Sequence, residues 1–456
     1  MGWLTRAGVL LALALIAASA RAQETAVRAI GSRLELFVDT WLTERLDGLS
    51  YRLHEPRPAP PPASPIRGYY MTVVRDGDLY RAWYRDYVPG WTGPTSDGNR
   101  GELTCYAESR DGQEWTLPKL GLHEINGSRD NNAVLADNPP FCHNFSPFLD
   151  TRPGVPADQR FKALAGVHTS GLWAFASADG IHWRKLGEQP VLTSAAFAFD
   201  SQNVAFWSET EGCYVCYFRS WDTPLGKLRS ISRATSADFV SWSAPVATNP
   251  NLPGEHLYTS NTQPYFRAPH LYIALPTRFM PDRGSSTDIL LMTSRDGSHY
   301  DRLLTEAFIR PGLAPERWGN RANYAALGVV PTGPDEMSIY HAPGGLRYTL
   351  RTDGFVSINA PARGGELLTR PLTFSGRELV INYSTSAAGR LQVEIQSADG
   401  TPLPGYALAD CPPLVGDRIE QVVAWKAGAD VSRLAGRPVR LRFAMAEADL
   451  YSLRFR

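Results

Sequence analysis

Cysteine is scarce in this chain, with five among 456 residues, and no excess of charge of either sign exists, with 46 Lys and Arg against 46 Asp and Glu. Cys105, Cys142, Cys213, Cys216 and Cys411 are odd in number and scattered, which excludes a disulfide framework. Cys213 and Cys216 have the spacing of a redox or zinc pair, yet they lie in Cys-Tyr-Val-Cys-Tyr-Phe, which reads as a strand. Residues three apart on a strand face opposite sides, so buried thiols are the better reading. Balanced charge provides no basic field and excludes nucleic acid as a partner. His168, His182, His256, His270, His299 and His341 show no metal spacing. There is no G-x-S-x-G elbow and no phosphate-binding glycine loop, so neither metal nor cofactor is expected. Past the N-terminus, no apolar run is long enough to cross a bilayer.

The N-terminus itself reads as a signal peptide over residues 1–22. Arg6 supplies the positive segment, Ala7 to Ala20 is apolar, and Ala20-Arg-Ala22 is a small-residue cleavage site. Cleavage after Ala22 removes Arg6 and Arg21 and no acid, leaving 44 basic residues against 46 acidic. The mature chain is then expected to be periplasmic or extracellular and free of the membrane. Its length suits two domains. Gly 39 and Pro 35 imply many turns, and Trp 12, Tyr 19 and Phe 18 suit both strands and sugar-stacking surfaces.

One pattern recurs. Its copies are Ser109-Arg-Asp-Gly-Gln-Glu-Trp115, Ser177-Ala-Asp-Gly-Ile-His-Trp183, Ser236-Ala-Asp-Phe-Val-Ser-Trp242 and Ser294-Arg-Asp-Gly-Ser-His-Tyr300, with a degenerate fifth at Arg351-Thr-Asp-Gly-Phe-Val-Ser357. The starts are 68, 59, 58 and 57 residues apart, which marks repeated supersecondary units. Each copy is a turn: the Asp side chain can bond amides two residues on, and the Gly accepts positive φ. With β-rich runs upstream, such as Tyr70–Val74 and Leu79–Tyr84, each unit holds about four strands, the size of a propeller blade.

The expectation is therefore an all-β chain, a five-bladed β-propeller followed by a C-terminal β-sandwich. Residues 23–65 would be an N-terminal strand leading in, with a Pro-rich linker, residues 66–360 the propeller, and residues 361–456 the sandwich. Alternating strands such as Arg390-Leu-Gln-Val-Glu-Ile and Val439-Arg-Leu-Arg-Phe support the last assignment. The blades would run over 66–125, 140–190, 195–248, 255–305 and 318–360.

The repeated boxes resemble those of sialidases and of the five-bladed glycosidases related to invertases and arabinanases, families 32 and 43. Longer stretches resemble a bacterial secreted family similar to the invertase-type N-terminal domain. They include Leu36-Phe-Val-Asp39, His143-Asn-Phe-Ser-Pro-Phe-Leu-Asp150, Phe199-Asp-Ser-Gln-Asn-Val-Ala-Phe-Trp207 and Leu257-Tyr-Thr-Ser-Asn-Thr-Gln-Pro-Tyr265. The resemblance implies action on carbohydrate. The W-M-N-D-P-N-G, R-D-P and E-C motifs that carry the invertase acids are absent, so those acids are not carried over.

In a propeller the innermost strands line a central channel, and polar residues at its mouth converge. Cleaving a glycosidic bond needs two carboxyl groups. Asp200 as base or nucleophile and Glu255 as acid are the best pair, with Asp86 and Asp39 in reserve. Arg85, Arg219 and Arg278 end the second strands of three blades, 24, 17 and 16 residues before their boxes. Arginine forks bind carboxylates and sulfates, so their convergence would mark an acidic sugar. His143, Asn144, Asn203, Gln263, Trp318 and Asn323 complete the expected substrate-binding set. A secreted glycoside hydrolase leads. A uronate lyase with a His or Tyr base is the alternative, as is a non-catalytic glycan-binding propeller.

Overall fold

The computed structural model describes residues 27–221, 224 and 226–456, and the expected signal peptide lies outside them. The described chain is all-β, with four short 3-10 helices and no α-helix among the described residues. It forms two compact units: Glu55–Thr352, and the described residues up to His54 together with Asp353–Arg456.

In Glu55–Thr352 the strands run as antiparallel ladders, one after another along the sequence. The first is Tyr69–Asp76, Leu79–Tyr87, Glu102–Ser109 and Ala133–Leu135. Next come Ser146–Leu149, Phe161–Ala165, Trp173–Ser177 and Arg184–Lys185, then Val204–Ser208, Cys213–Ser220, Ser230–Ser236 and Val246–Ala247. Residues 256–294 split between two three-stranded sheets. The last ladder is Tyr324–Pro331, Glu336–Ala342 and Leu346–Arg351, and it joins the first through a parallel pairing of Leu327 with Thr72. Val73, Phe148, Phe206, Tyr265 and Leu327, from five different strands, line an apolar cavity of about 390 Å³.

Four boxes form the expected turn. Ser109 Oγ accepts from Gly112 N at 2.9 Å, while Asp111 Oδ1 accepts from Gln113 N and Glu114 N at 2.8 and 3.0 Å. The copies at Ser177, Ser236 and Ser294 repeat this. The third has Phe239 in place of glycine, forced to φ 72° and fully buried against Phe148 and Tyr214. Three turns are also fastened to a neighbouring ladder through the carbonyl of the box glycine. Trp83 Nε1 donates to Gly180 O at 2.7 Å, Tyr217 OH to Gly297 O at 2.6 Å, and Tyr340 OH to Gly112 O at 2.6 Å. The last of these ties the final ladder back to the first.

Three expected boundaries need correction. The Pro-rich stretch is no linker, because Arg57–Pro58 pairs with Leu346–Arg351 as an edge strand, the position where a residue lacking N–H is tolerated. The first ladder runs past residue 125, to Leu135. The fifth box is not a box of this unit: Asp353 lies in the other unit, where its Oδ2 accepts from Ser452 Oγ and Asn382 Nδ2.

The second unit is not C-terminal alone. Arg28–Gly31, Glu35–Leu36, Thr43–Asp47 and Ser50–Leu53 all pair with strands beyond residue 353. The segment expected to lead into the first blade thus completes this sheet. The long strands Leu379–Ser397 and Val439–Phe455 pair along most of their length. Alternate residues, including Leu391, Val393, Ile395, Leu441 and Phe443, point into a core that also takes Ile30, Phe37 and Leu42 from the N-terminal strands.

Candidate functional site

Four strands of Glu55–Thr352 are entered through unusual backbone. Tyr70, Phe199, Asn261 and Arg321 have φ of 47°, 71°, 43° and 60°. Non-glycine residues there are strained by roughly 1–3 kcal/mol each and persist only where surrounding structure imposes them. Buried amides impose it. Asn144 Nδ2 donates to Phe199 O at 2.5 Å and to Gly166 O at 2.7 Å, and Gln202 Nε2 donates to Met71 O at 3.0 Å. Asn261 Nδ2 donates to Ala325 O at 2.6 Å.

Three buried tyrosines meet at these entrances. Tyr324 stands between Tyr70 and Tyr258, with ring centres 6.1 and 5.5 Å away. Arginines surround them. The guanidinium of Arg85 lies 4.7 Å from the Tyr70 ring, and those of Arg219 and Arg229 lie 4.5 and 4.9 Å from the Tyr258 ring. The charge of Arg321 also acts on Tyr258. Asp200 pairs with this group through Arg219. Even so, Arg219 Nε and Nη1, Arg229 Nε and the Tyr324 hydroxyl are buried without a hydrogen-bond partner. Unsatisfied donors of this kind call for a ligand or water.

The electrostatics separates the phenols. Burial pushes Tyr258 up, but Arg219, Arg321 and Arg229 outweigh it and hold Tyr258 below the ordinary phenol value. Burial pushes Tyr70 up to about 12, with Arg85 offsetting only part, and pushes Tyr324 well up. His256, beside Arg229, is held down by burial and by Arg229. Its Nδ1 accepts from Arg229 N at 3.1 Å, which leaves the ring proton on Nε2.

Beside Tyr70, Arg85 and His143 form a second group with Glu102. His143 Nδ1 is 2.8 Å from both Glu102 Oε1 and Arg85 Nη1, and Arg85 is 3.5 Å from Glu102. Nδ1 can serve only one of them, and the Arg85–Glu102 ion pair satisfies the other. All three side chains are buried, and Asp97, 3.8 Å from His143 Nε2, is the exposed member.

Of the expected residues, the tyrosine cluster gathers Asp200, Arg85, Arg219 and His143, while Asp86, the next residue on the strand after Arg85, is exposed. Glu255 does not join them. It is buried and bound in a fork to Arg302 at 2.5 and 3.1 Å, and it accepts from Leu252 N. Arg278 is likewise forked to Asp288 at 2.9 and 2.6 Å. Asn144 spends its amide on backbone, as does Asn323, which donates to Thr287 O and Arg317 O. Asn203 is fully buried and donates to Phe199 O. Gln263 lines the apolar cavity, Trp318 is exposed and bonds Gly312 O, and Asp39 belongs to the other unit. Tyr70, Tyr324, Arg229 and Glu102, none of them singled out in the sequence, complete the cluster together with Arg321. A signal existed, since Tyr70, Tyr258 and Tyr324 each open an inner-strand region, but an aromatic at a strand start looks like core.

Among the described residues no group of three or more His, Cys, Asp or Glu is placed to hold a metal, and no helix is long and apolar enough to cross a membrane. The five cysteines are unpaired, with Cys216 buried and Cys213 half-buried.

No family model matches the chain. Two proteins described as uncharacterized, from the H37Rv and CDC 1551 strains of Mycobacterium tuberculosis, are 28% and 27% identical over 137 and 140 residues. The match covers 30% of this chain and 40% of theirs. Among solved structures the chain is similar to a glycoside hydrolase, with TM-score 0.44 and 14% identity over 65% of this chain and 90% of that one. It is also similar to a family 43 arabinoxylan arabinofuranohydrolase from Bacillus subtilis, with TM-score 0.39 and 14% identity over 86% and 96%. For an N-acetylgalactosamine deacetylase from F. plautii the values are 0.43 and 12%, over 89% and 95%.

Proposed function

We propose that this chain acts outside the cytoplasm on an anionic carbohydrate, breaking a glycosidic bond at the mouth of a five-bladed β-propeller formed by residues 55–352. The observation that carries this reading is the surround of Tyr258 by Arg219, Arg229 and Arg321, with Arg219 Nε and Nη1 and Arg229 Nε buried and unpartnered. Guanidinium forks in a buried site match the planar carboxylate or the sulfate of an acidic sugar. The exposed rim aromatic Phe197, with Trp221 bonded to its carbonyl, offers a stacking face for a sugar ring.

The expected hydrolytic pair of Asp200 and Glu255 is not part of this reading, since Glu255 is committed to Arg302. Asp200 is a positioning residue that orients Arg219. The test is calorimetry of the mature chain against polyuronates, sulfated glycans and their neutral counterparts, together with a reducing-end assay. Binding and cleavage confined to the anionic glycans, weakened by salt, are expected. Equal binding of neutral glycans, or binding without cleavage of any, would refute it.

A further inference from the structure

Anion binding accounts for the arginines but not for a tyrosine held among them. Hydrolysis needs two carboxyl groups flanking the bond, one of them a protonated acid. Of the carboxyl groups bound into this cluster, Asp200 is ion-paired with Arg219, and Glu102 is buried against His143 and Arg85. What the cluster supplies is a phenol whose ring has the guanidinium groups of Arg219 and Arg229 at 4.5 and 4.9 Å and which also feels the charge of Arg321.

Resting on the anionic-carbohydrate reading, we infer that the bond is broken by β-elimination of a 4-linked uronate, with the Tyr258 hydroxyl oxygen moving the proton. In this reading a uronate carboxylate pairs with Arg219, whose guanidinium lies 4.5 Å from the Tyr258 ring and whose buried Nε and Nη1 lack a hydrogen-bond partner. The guanidinium charge stabilises the enolate that forms when the hydrogen on C5, next to the carboxylate, is removed. The Tyr258 phenolate takes that proton, and the C5–H electron pair becomes the C4–C5 double bond. The C4–O bond breaks, its electron pair leaves on the oxygen, and the same phenol returns the proton to it. The proton ends on the new hydroxyl, the phenolate is regenerated, and neither water nor an oxidant is consumed.

The environments divide the phenols in the sense this step requires. Tyr258 is held below the ordinary phenol value, whereas burial keeps Tyr70 and Tyr324 protonated beside it. Because one phenol serves as base and then as acid, the C5 hydrogen and the leaving oxygen must lie on the same face of the ring. That is the arrangement in glucuronate and not in galacturonate.

The experiment incubates the full-length mature chain, and its Tyr258→Phe and Asp200→Asn variants, with a 4-linked polyglucuronate and with polygalacturonate. It follows reducing ends together with the ultraviolet absorbance of the conjugated unsaturated product. Both signals rising together on the polyglucuronate, with at least a hundredfold loss in Tyr258→Phe while calorimetric binding persists, is the expected result. New reducing ends without the absorbance would overturn elimination and leave the anionic-carbohydrate reading standing. Failure to bind either polymer would overturn the uronate assignment, and failure to bind sulfated glycans as well would overturn the anionic-carbohydrate reading itself. An active Tyr258→Phe beside an inactive Asp200→Asn would assign the chemistry to the carboxylate. As a substrate-free check, ultraviolet titration of the intact protein should show a phenolate forming below the ordinary tyrosine range that Tyr258→Phe lacks. Identical titration curves for folded wild type and variant would refute the assignment.

Discussion

The guanidinium of Arg219 lies 4.5 Å from the centre of the Tyr258 ring and is paired at Nη2 with Asp200. One arginine thus links the acid that sequence reasoning chose to the phenol it did not. Its Nε and Nη1 are buried without a hydrogen-bond partner. Arg219→Met should weaken binding of anionic glycans by about tenfold to a hundredfold, the equivalent of a lost charge-assisted hydrogen bond. Calorimetry reads this, and affinity unchanged within twofold would count against the site.

Activity should climb with pH. A phenolate base is active only when deprotonated, and Arg219, Arg321 and Arg229 hold Tyr258 below the usual phenol range against the opposing effect of burial. The rate should therefore reach its plateau before an ordinary tyrosine would ionise, while Tyr324 packs 5.5 Å from the Tyr258 ring and Tyr70 stacks on Tyr324. Arg321→Met should shift the profile to higher pH. A profile that falls with rising pH across the neutral range would contradict this.

The box aspartates predict a separate acid sensitivity. Backbone amides and the neighbouring serines hold Asp238 down to about 2, and amide and His299 contacts hold Asp296 down to about 2 against burial. A carboxyl depressed in the folded state adds stability above its unfolded pKa and loses it as pH falls through the folded one. Thermal melting should be insensitive to these groups at neutral pH and should drop between about pH 4 and pH 2. Asp238→Asn should flatten part of that drop.

Glu255→Ala should cost stability rather than act on the chemical step. It would strip the buried Arg302 of its forked partner, and breaking such a pair costs about 3–5 kcal/mol. Denaturant unfolding checks this. Lost turnover in a variant of wild-type stability would return Glu255 to the site.

Deleting residues 27–54 should unfold the unit that contains Asp353–Arg456, because Ile30, Phe37 and Leu42 sit in its core and four strands pair with it. Limited proteolysis should then cut within residues 353–456. Resistance there would show that the C-terminal strands stand alone.

Local chemistry made much of the fold legible. The Ser-x-Asp turns formed at four sites because side chain and backbone of the same few residues satisfy each other. Counting back from those turns found Arg85 and Arg219, both of which reach the tyrosine cluster, but it also chose Arg278, which Asp288 claims. The same counting cannot tell a carboxylate facing a ligand from one facing an arginine. Asp200 and Glu255 look alike in sequence, and only the folded chain brings Arg302 to Glu255.

The amino-acid sequence alone determined the all-β class, the repeated turns and the candidate arginines, because alternation and turn formation depend on neighbours a few residues apart. The tertiary structure alone decided that residues 28–53 pair with strands beyond residue 353, and that Tyr70, Tyr258 and Tyr324 meet among four arginines. Those contacts join segments far apart in the chain. Strand pairing and charge proximity act through space, and no local pattern of residues encodes which distant segment arrives.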